Sequence, residues 1–274
     1  MCTSFAVYGQ NNPIYGMNFD AEEIDLKLKI NDYADRYVFC FSGLMGEAYV
    51  DIAGINSDGL FICSQALEYS PNFQPSSDEK DIFAFDVFEE ALRERDSLPG
   101  FFDALNNRSV FFPSNPLFPN MGVHAIIADQ HGDAAILEEG TRTNVISKIN
   151  GAFIVMTNFP NGDFEKQKFD EVCGCGADRY INAYINIKDN MNDFGVNEAF
   201  DVLKKTRQDI TICSIVFDPS NFEAYICFNI DFGKRWKISL KEKRMYSLSG
   251  LNDNRSMLIT AEGVHTRELY KFYE

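Results

Sequence analysis

Residues 1–20 read MCTSFAVYGQNNPIYGMNFD. Residues 3–8 mix β-branched and aromatic side chains, the composition of a strand. Residues 9–13, GQNNP, are turn formers, since glycine and asparagine tolerate left-handed backbone and proline presets φ. Residues 14–19 resume the strand pattern, so the spacing predicts a hairpin that returns towards Asp20. Cys2 stands directly in front of it, and two readings compete. On a loose terminus it is a small apolar residue. At the head of a chain that has lost Met1, it carries a nucleophile and a base together.

A thiol nucleophile needs a base. His124, His131 and His265 are candidates, but their positions in the sequence select none of them. The α-amino group of an N-terminal cysteine is another, with an ordinary pKa of about 7.7–8.0. Thiol and amine then belong to one residue, which fixes most of their mutual geometry in advance. A small residue at position 2 also favours removal of the initiator methionine.

The composition sets bounds on the rest. The chain has 274 residues, 45% hydrophobic and 14% aromatic, with 25 phenylalanines, enough to build a sizeable core. Lys and Arg total 25 against 41 Asp and Glu, a net charge of −16 that opposes binding to nucleic acid or anionic membrane. Seven cysteines show no disulfide spacing, and Cys173-Gly-Cys175 lacks the two-residue gap of a zinc or redox motif. Reduced thiols point to a cytoplasmic location. With three histidines, neither a metal site nor a cofactor is expected. No signal segment is visible, and no apolar run reaches the roughly 18–20 residues of a membrane span.

Further along, residues 36–41, 49–55 and 60–66 read as strands, the last two joined through Asn-Ser-Asp-Gly. Ile82, Phe85, Phe88 and Leu92 recur at helical spacing, and Pro99-Gly100 interrupts that pattern before a short helix at residues 101–105. The proline-rich stretch FFPSNPLFPNMG is read as loop. A third hairpin runs from His124 to Glu138, and residues 153–157 form a buried strand. Helices are expected at residues 177–187 and 196–205, then strands at 210–217, 224–230 and 234–240. Hairpins dominate and no βαβ repeat occurs, which predicts an α+β fold of face-to-face, mainly antiparallel sheets with helices outside. No linker divides the chain, so residues 1–274 are expected to form a single domain.

Cys2, YGMNFD, GINSDGLFICSQA, HAIIADQHGDAAILE, FIVMTNFP and TRQDITICSIVFD occur in that order. Together they resemble the cysteine-type N-terminal-nucleophile amide hydrolases of the choloylglycine hydrolase and penicillin V acylase family. The resemblance implies a four-layer αββα sandwich. It also implies hydrolysis of linear, non-peptide N-acyl amides through a thioester on Cys2, with a small-molecule substrate. A homotetramer follows from resemblance alone. Cys2 matches the nucleophile, and Asp20 the carboxylate that holds the α-amino group. Asn158 matches an asparagine supporting the oxyanion or the N-terminus, and Arg207 an active-site arginine. Met17 departs from the pattern, since the family strand reads Gly-Arg-Asn-x-Asp and this one Gly16-Met17-Asn18-Phe19-Asp20. Gln65 stands near a family asparagine, so Gln65, Met17 and Asn18 are candidates for oxyanion or substrate contact. An acyltransferase of the same chemistry and a catalytically silent binding protein are the competing expectations.

Overall fold

A computed structural model of the chain describes residues 2–9, 12–22, 24–68, 82–105, 108–111, 121–140, 143–251 and 254–273. Among these residues two eight-stranded sheets form. The first runs Phe153–Met156, Thr3–Tyr8, Pro13–Asp20, Thr211–Asp218, Glu223–Phe228, Arg235–Ser239, Arg244–Ser249 and Ser256–Leu258. The second runs Val145–Lys148, Ala134–Glu138, Met121–Ala128, Phe61–Glu68, Ala48–Asn56, Tyr37–Met45, Leu26–Asp32 and Val264–His265. Neighbouring strands in both are antiparallel.

Period-two alternation decides which face each side chain takes. In the first sheet Ala6, Tyr15, Met17, Ile215 and Phe217 face the second sheet, where they meet Phe39, Phe41, Ile55, Phe61 and Cys63. Phe5, Val7, Ile14 and Val216 take the opposite face and pack on the helices Ala177–Asp189 and Val196–Thr206 through Ala183, Ile187, Phe200 and Leu203. Val38, Ile62, Ala125 and Ile127 on the outer face of the second sheet meet the helices Ala84–Glu94 and Leu98–Leu105. The order of layers is therefore helix, sheet, sheet, helix. Between the sheets Phe61 stacks on Tyr15 at 5.0 Å and tilts onto Phe217 at 5.0 Å. Each such ring contributes about 1.5–3 kcal/mol through burial. No helix among the described residues is long and apolar enough to cross a membrane.

The expected hairpins are present, with differences at their edges. Ile82 does not share the helical stripe. It pairs with Val110 in a short parallel contact, and the helix starts at Ala84. Pro99 and Gly100 lie inside the first turn of Leu98–Leu105, where a missing N–H is tolerated. The strand Leu26–Asp32 buries Leu26, Leu28 and Ile30 and leaves the lysines between them half-buried, so its low hydrophobicity hides it from a sequence reading. The strand expected at 224–230 stops at Phe228, because Asn229 and Ile230 take positive φ of 52° and 54°. The loop expected at 111–122 lies largely outside the described residues, as do residues 10 and 11 of the first hairpin's turn.

One close approach fixes the first hairpin. Gly16 lies under the Phe5 ring, and a Cβ there would stand 2.3 Å from the ring's Cζ. Phe5 is held in turn edge-to-face on Phe194 at 6.1 Å. Gly16→Val is therefore expected to destabilise the protein by about 1–3 kcal/mol through overpacking. Chemical denaturation at equilibrium checks this, and an unchanged midpoint would contradict the packing account.

Candidate active site

Register brings the pieces together. Ser4 lies opposite Met156, so continuing that ladder by two residues sets Cys2 beside Asn158. On the other side Thr3 lies opposite Asn18, which runs Cys2 along Phe19 and towards Asp20. Asp20 in turn pairs with Thr211 on the next strand. Cys2, Asp20 and Asn158 thus meet at one end of three adjacent strands, and all three are buried.

The backbone nitrogen of Cys2 donates to Asn158 Oδ1 at 3.0 Å. The other end of that amide, Nδ2, donates to the Ala66 carbonyl at 2.6 Å. Asn158 therefore presents its oxygen, and not its N–H, to the head of the chain. Asp20 accepts from Thr211 Oγ1 at 2.5 Å and from Gln208 Nε2 at 2.6 Å. Burial raises its pKa, while those two bonds oppose the shift. Burial likewise pushes the Cys2 thiol up, and the Asp20 carboxylate adds to this. The Asp20 backbone N–H and the Arg179 guanidinium pull the other way.

Arg179 completes the cluster. It bonds the Cys2 carbonyl oxygen through Nη1. The same nitrogen reaches Thr3 Oγ1 at 3.1 Å, and Nη2 reaches Asn158 Oδ1 at 2.7 Å. Nη1 also lies 4.0 Å from Asp20 Oδ2. The arginine stands in the first turn of Ala177–Asp189 and is 5% exposed. Gly176 makes room for it: its φ is 83°, and a Cβ there would lie 2.4 Å from Arg179 Nη2.

The remaining candidates fall elsewhere. Arg207 is exposed and turns back to bond the Lys204 carbonyl at 2.6 Å, capping its own helix. The structure does not bring it to Cys2, and a free helix-end carbonyl is the physical reason. Asn18 faces the helix layer, donating to the Leu203 carbonyl at 2.8 Å and accepting from Ser214 Oγ at 2.7 Å. Gln65 donates to the Thr157 carbonyl at 2.8 Å, next to Asn158, and its Oε1 is buried with no partner among the described residues. Met17 lies in the inter-sheet core with its sulfur 3.8 Å from Cys63 Sγ. Among the described residues no histidine bonds Cys2. His124 bonds Glu138 and the Thr157 carbonyl, His131 sits exposed in a turn, and His265 bonds Asp25. No group of three or more His, Cys, Asp or Glu among these residues is arranged to hold a metal ion.

No protein-family model matches the chain, and no curated protein sequence matches it. Solved structures do. A mutant of the conjugated bile acid hydrolase from Clostridium perfringens matches with a TM-score of 0.60 and 15% identity, over 95% of this chain and 98% of that one. Penicillin V acylase from Agrobacterium tumefaciens matches with 0.59 and 15%, over 87% and 91%. The Caenorhabditis elegans ortholog of N-acylethanolamine-hydrolyzing acid amidase matches with 0.55 and 16%, over 80% and 93%. The chain has their fold. It is an α+β sandwich, two antiparallel sheets between helices.

Within this fold, Arg179 is the residue that sequence reading missed. A signal for it exists: Arg179, Ala183 and Ile187 are spaced by four and form the buried stripe of one helix. A cation in the first turn also opposes the helix dipole, so something else must hold it there. Arg179→Met would leave the Cys2 carbonyl, Thr3 Oγ1 and Asn158 Oδ1 each short of a donor. The expected cost is about 3–5 kcal/mol, with Arg179→Lys intermediate because it lacks the planar fork. Thermal and denaturant unfolding of both variants check it, and a loss under about 1 kcal/mol for Arg179→Met would contradict the geometry.

Asp20 carries a pH signature. Its folded pKa is raised, so from the ordinary carboxylate value of about 3.9 upward the unfolded chain gives up the proton first. The stability of the native protein relative to Asp20→Asn is therefore expected to fall as pH rises from the acid range to neutral. Unfolding free energies of both proteins at several pH values measure this, and a difference that does not move with pH would refute it.

Proposed function

We propose that this chain is an amidohydrolase that cleaves linear, non-peptide N-acyl amides through a thioester on Cys2, after removal of Met1. The observation that carries this reading is the bond from the Cys2 nitrogen to Asn158 Oδ1, made inside a buried cluster with Arg179 and Asp20. The fold adds support. The three named neighbours are a conjugated bile acid hydrolase, a penicillin V acylase and an ortholog of an N-acylethanolamine-hydrolyzing acid amidase.

Once Met1 is gone, the nitrogen held by Asn158 is a free amine. One N–H points to Asn158 Oδ1, which leaves its lone pair for the thiol proton. The raised thiol pKa fits a nucleophile that stays protonated until attack. The sulfur then bonds the substrate carbonyl carbon while the amine takes the thiol proton. The carbonyl π electrons move to oxygen, giving a tetrahedral oxyanion. When they return, the C–N bond breaks and the amine of Cys2 passes its proton to the leaving nitrogen. Water, deprotonated by the same amine, attacks the thioester. The carboxylic acid leaves and the thiol is restored. Asp20 and Arg179 hold the head of the chain in place during both steps.

Met17 bears on the substrate. Its thioether offers neither charge nor a donor beside Cys2, where a family arginine would offer both. The reading therefore favours an apolar acyl group over one that presents a carboxylate or phosphate at that point.

Intact-mass analysis of active protein is expected to show the chain without Met1. Hydrolysis is to be followed on a panel of bile-acid conjugates, penicillin V, N-acylethanolamines and N-acyl amino acids. Cys2→Ala should abolish it and Cys2→Ser should slow it strongly, since a hydroxyl is the weaker nucleophile. Quantitative retention of Met1 in active protein would defeat the amine mechanism, as would full activity in Cys2→Ala. Formation of a new amide when a free amine is added would reassign the chain to acyl transfer.

A further inference from the structure

His124 and Glu138 form a buried ion pair that the chemistry above does not use. The two side chains are 0% and 3% exposed, and Nδ1 of the ring lies 3.1 Å from Glu138 Oε1. They are cross-strand partners, directly opposite in the hairpin of Met121–Ala128 and Ala134–Glu138. The other ring nitrogen, Nε2, lies 2.7 Å from the Thr157 carbonyl oxygen. Both nitrogens thus face acceptors, so the ring satisfies both only with a proton on each. The carboxylate takes two further donors, the backbone N–H of Asn161 at 2.8 Å and of Gly162 at 2.9 Å. Burial would raise the Glu138 pKa, but the bond and charge of His124 together with the two N–H groups hold it below the ordinary range.

The partners of this pair bracket Asn158. The ring holds the carbonyl of the residue before it, and the carboxylate holds two amides just after it. Gln65, the cross-strand neighbour of His124, adds a second donor to the same Thr157 carbonyl. Asn158 itself is tied to the second sheet by Glu68 N–H on its carbonyl at 2.7 Å and by its own Nδ2 on Ala66. The sole atom of its side chain that turns to the first sheet is Oδ1, the acceptor of the Cys2 nitrogen. A buried ion pair is weak support for stability, because desolvation offsets most of its attraction. What this one supplies is position: it fixes the peptide that carries Asn158 across the gap between the sheets.

We propose that His124 and Glu138 act as one positioning unit, which holds Asn158 Oδ1 at bonding distance from the nitrogen of Cys2. The inference rests on the proposed role of that nitrogen as base. Misplacing a group by about 1 Å costs on the order of 10²-fold in rate, and this sets the expected loss.

The test uses full-length protein carrying Glu138→Gln, His124→Gln, and both changes. Two readouts are followed: hydrolysis of the best N-acyl amide, and alkylation of Cys2 by iodoacetamide, which needs no substrate. Each single variant is expected to lose about 10²-fold in kcat, with KM changed by less than about 3-fold. Alkylation should slow in the same order. The double variant should lose no more than the worse single one, because the two residues act together. Glu138→Gln keeps the shape of the side chain, and its single amide oxygen can still accept from Asn161 while its NH2 group gives up only the bond from Gly162, so it reports even where His124→Gln fails to fold. Wild-type kcat and alkylation in folded Glu138→Gln would overturn the proposal, and so would losses that multiply in the double variant. If wild-type protein hydrolyses no amide on the panel, the proposed function fails on its own. The alkylation rates then still decide the positioning role.

Discussion

The oxygen of one side-chain amide holds the candidate site together. Asn158 Oδ1 accepts from the Cys2 nitrogen and from Arg179 at once, and the other end of the amide is spent on a strand of the second sheet. This divides the work between the two sheets. The first sheet supplies the nitrogen and thiol through a strand end. The second supplies the support that stops Asn158 from turning. Neither sheet alone sets the contact, so its precision depends on how the two pack.

Burial makes this arrangement costly as well as rigid. Arg179 and Asp20 stand 4.0 Å apart in an almost dry environment, and each must find several hydrogen bonds to offset the loss of water. They do so: Asp20 through Thr211 and Gln208, Arg179 through Cys2, Thr3 and Asn158. The arginine comes from a helix outside the first sheet, so it reaches the strand ends from the helix side. The thiol points to the opposite, inter-sheet face, alongside Met17 and Cys63. The polar cluster and the thiol thus lie on opposite faces of one strand.

Low identity to the neighbouring structures sharpens the point. At 15% identity most residues differ, while the fold is shared over 95% of this chain with a TM-score of 0.60. Aromatic pairs such as Phe61 with Tyr15 and Phe217 fill the space between the sheets. Volume and alternation are what such a core requires, and many sequences satisfy them.

By itself the sequence determined the hairpins, the outer helices and the α+β class, because those follow from period-two and period-3.6 patterns that neighbouring residues carry. It also marked Cys2, Asp20 and Asn158, which lie at strand ends whose pairing those patterns imply. The His124–Glu138 pair was legible in principle, since the turn at residues 130–133 sets the two opposite each other. Strands rich in lysine, such as Leu26–Asp32, were not, because the lysines mask the alternation and one edge of the strand is covered by Val264–His265, far along the chain. The choice of arginine was not legible either. Arg207 and Arg179 each lie near a helix end. The tertiary structure alone decided that the first caps its own helix, while the second lies on a buried stripe that the sheet presses against Cys2. A guanidinium reaches across several ångströms of packed structure, and no local pattern records what lies there.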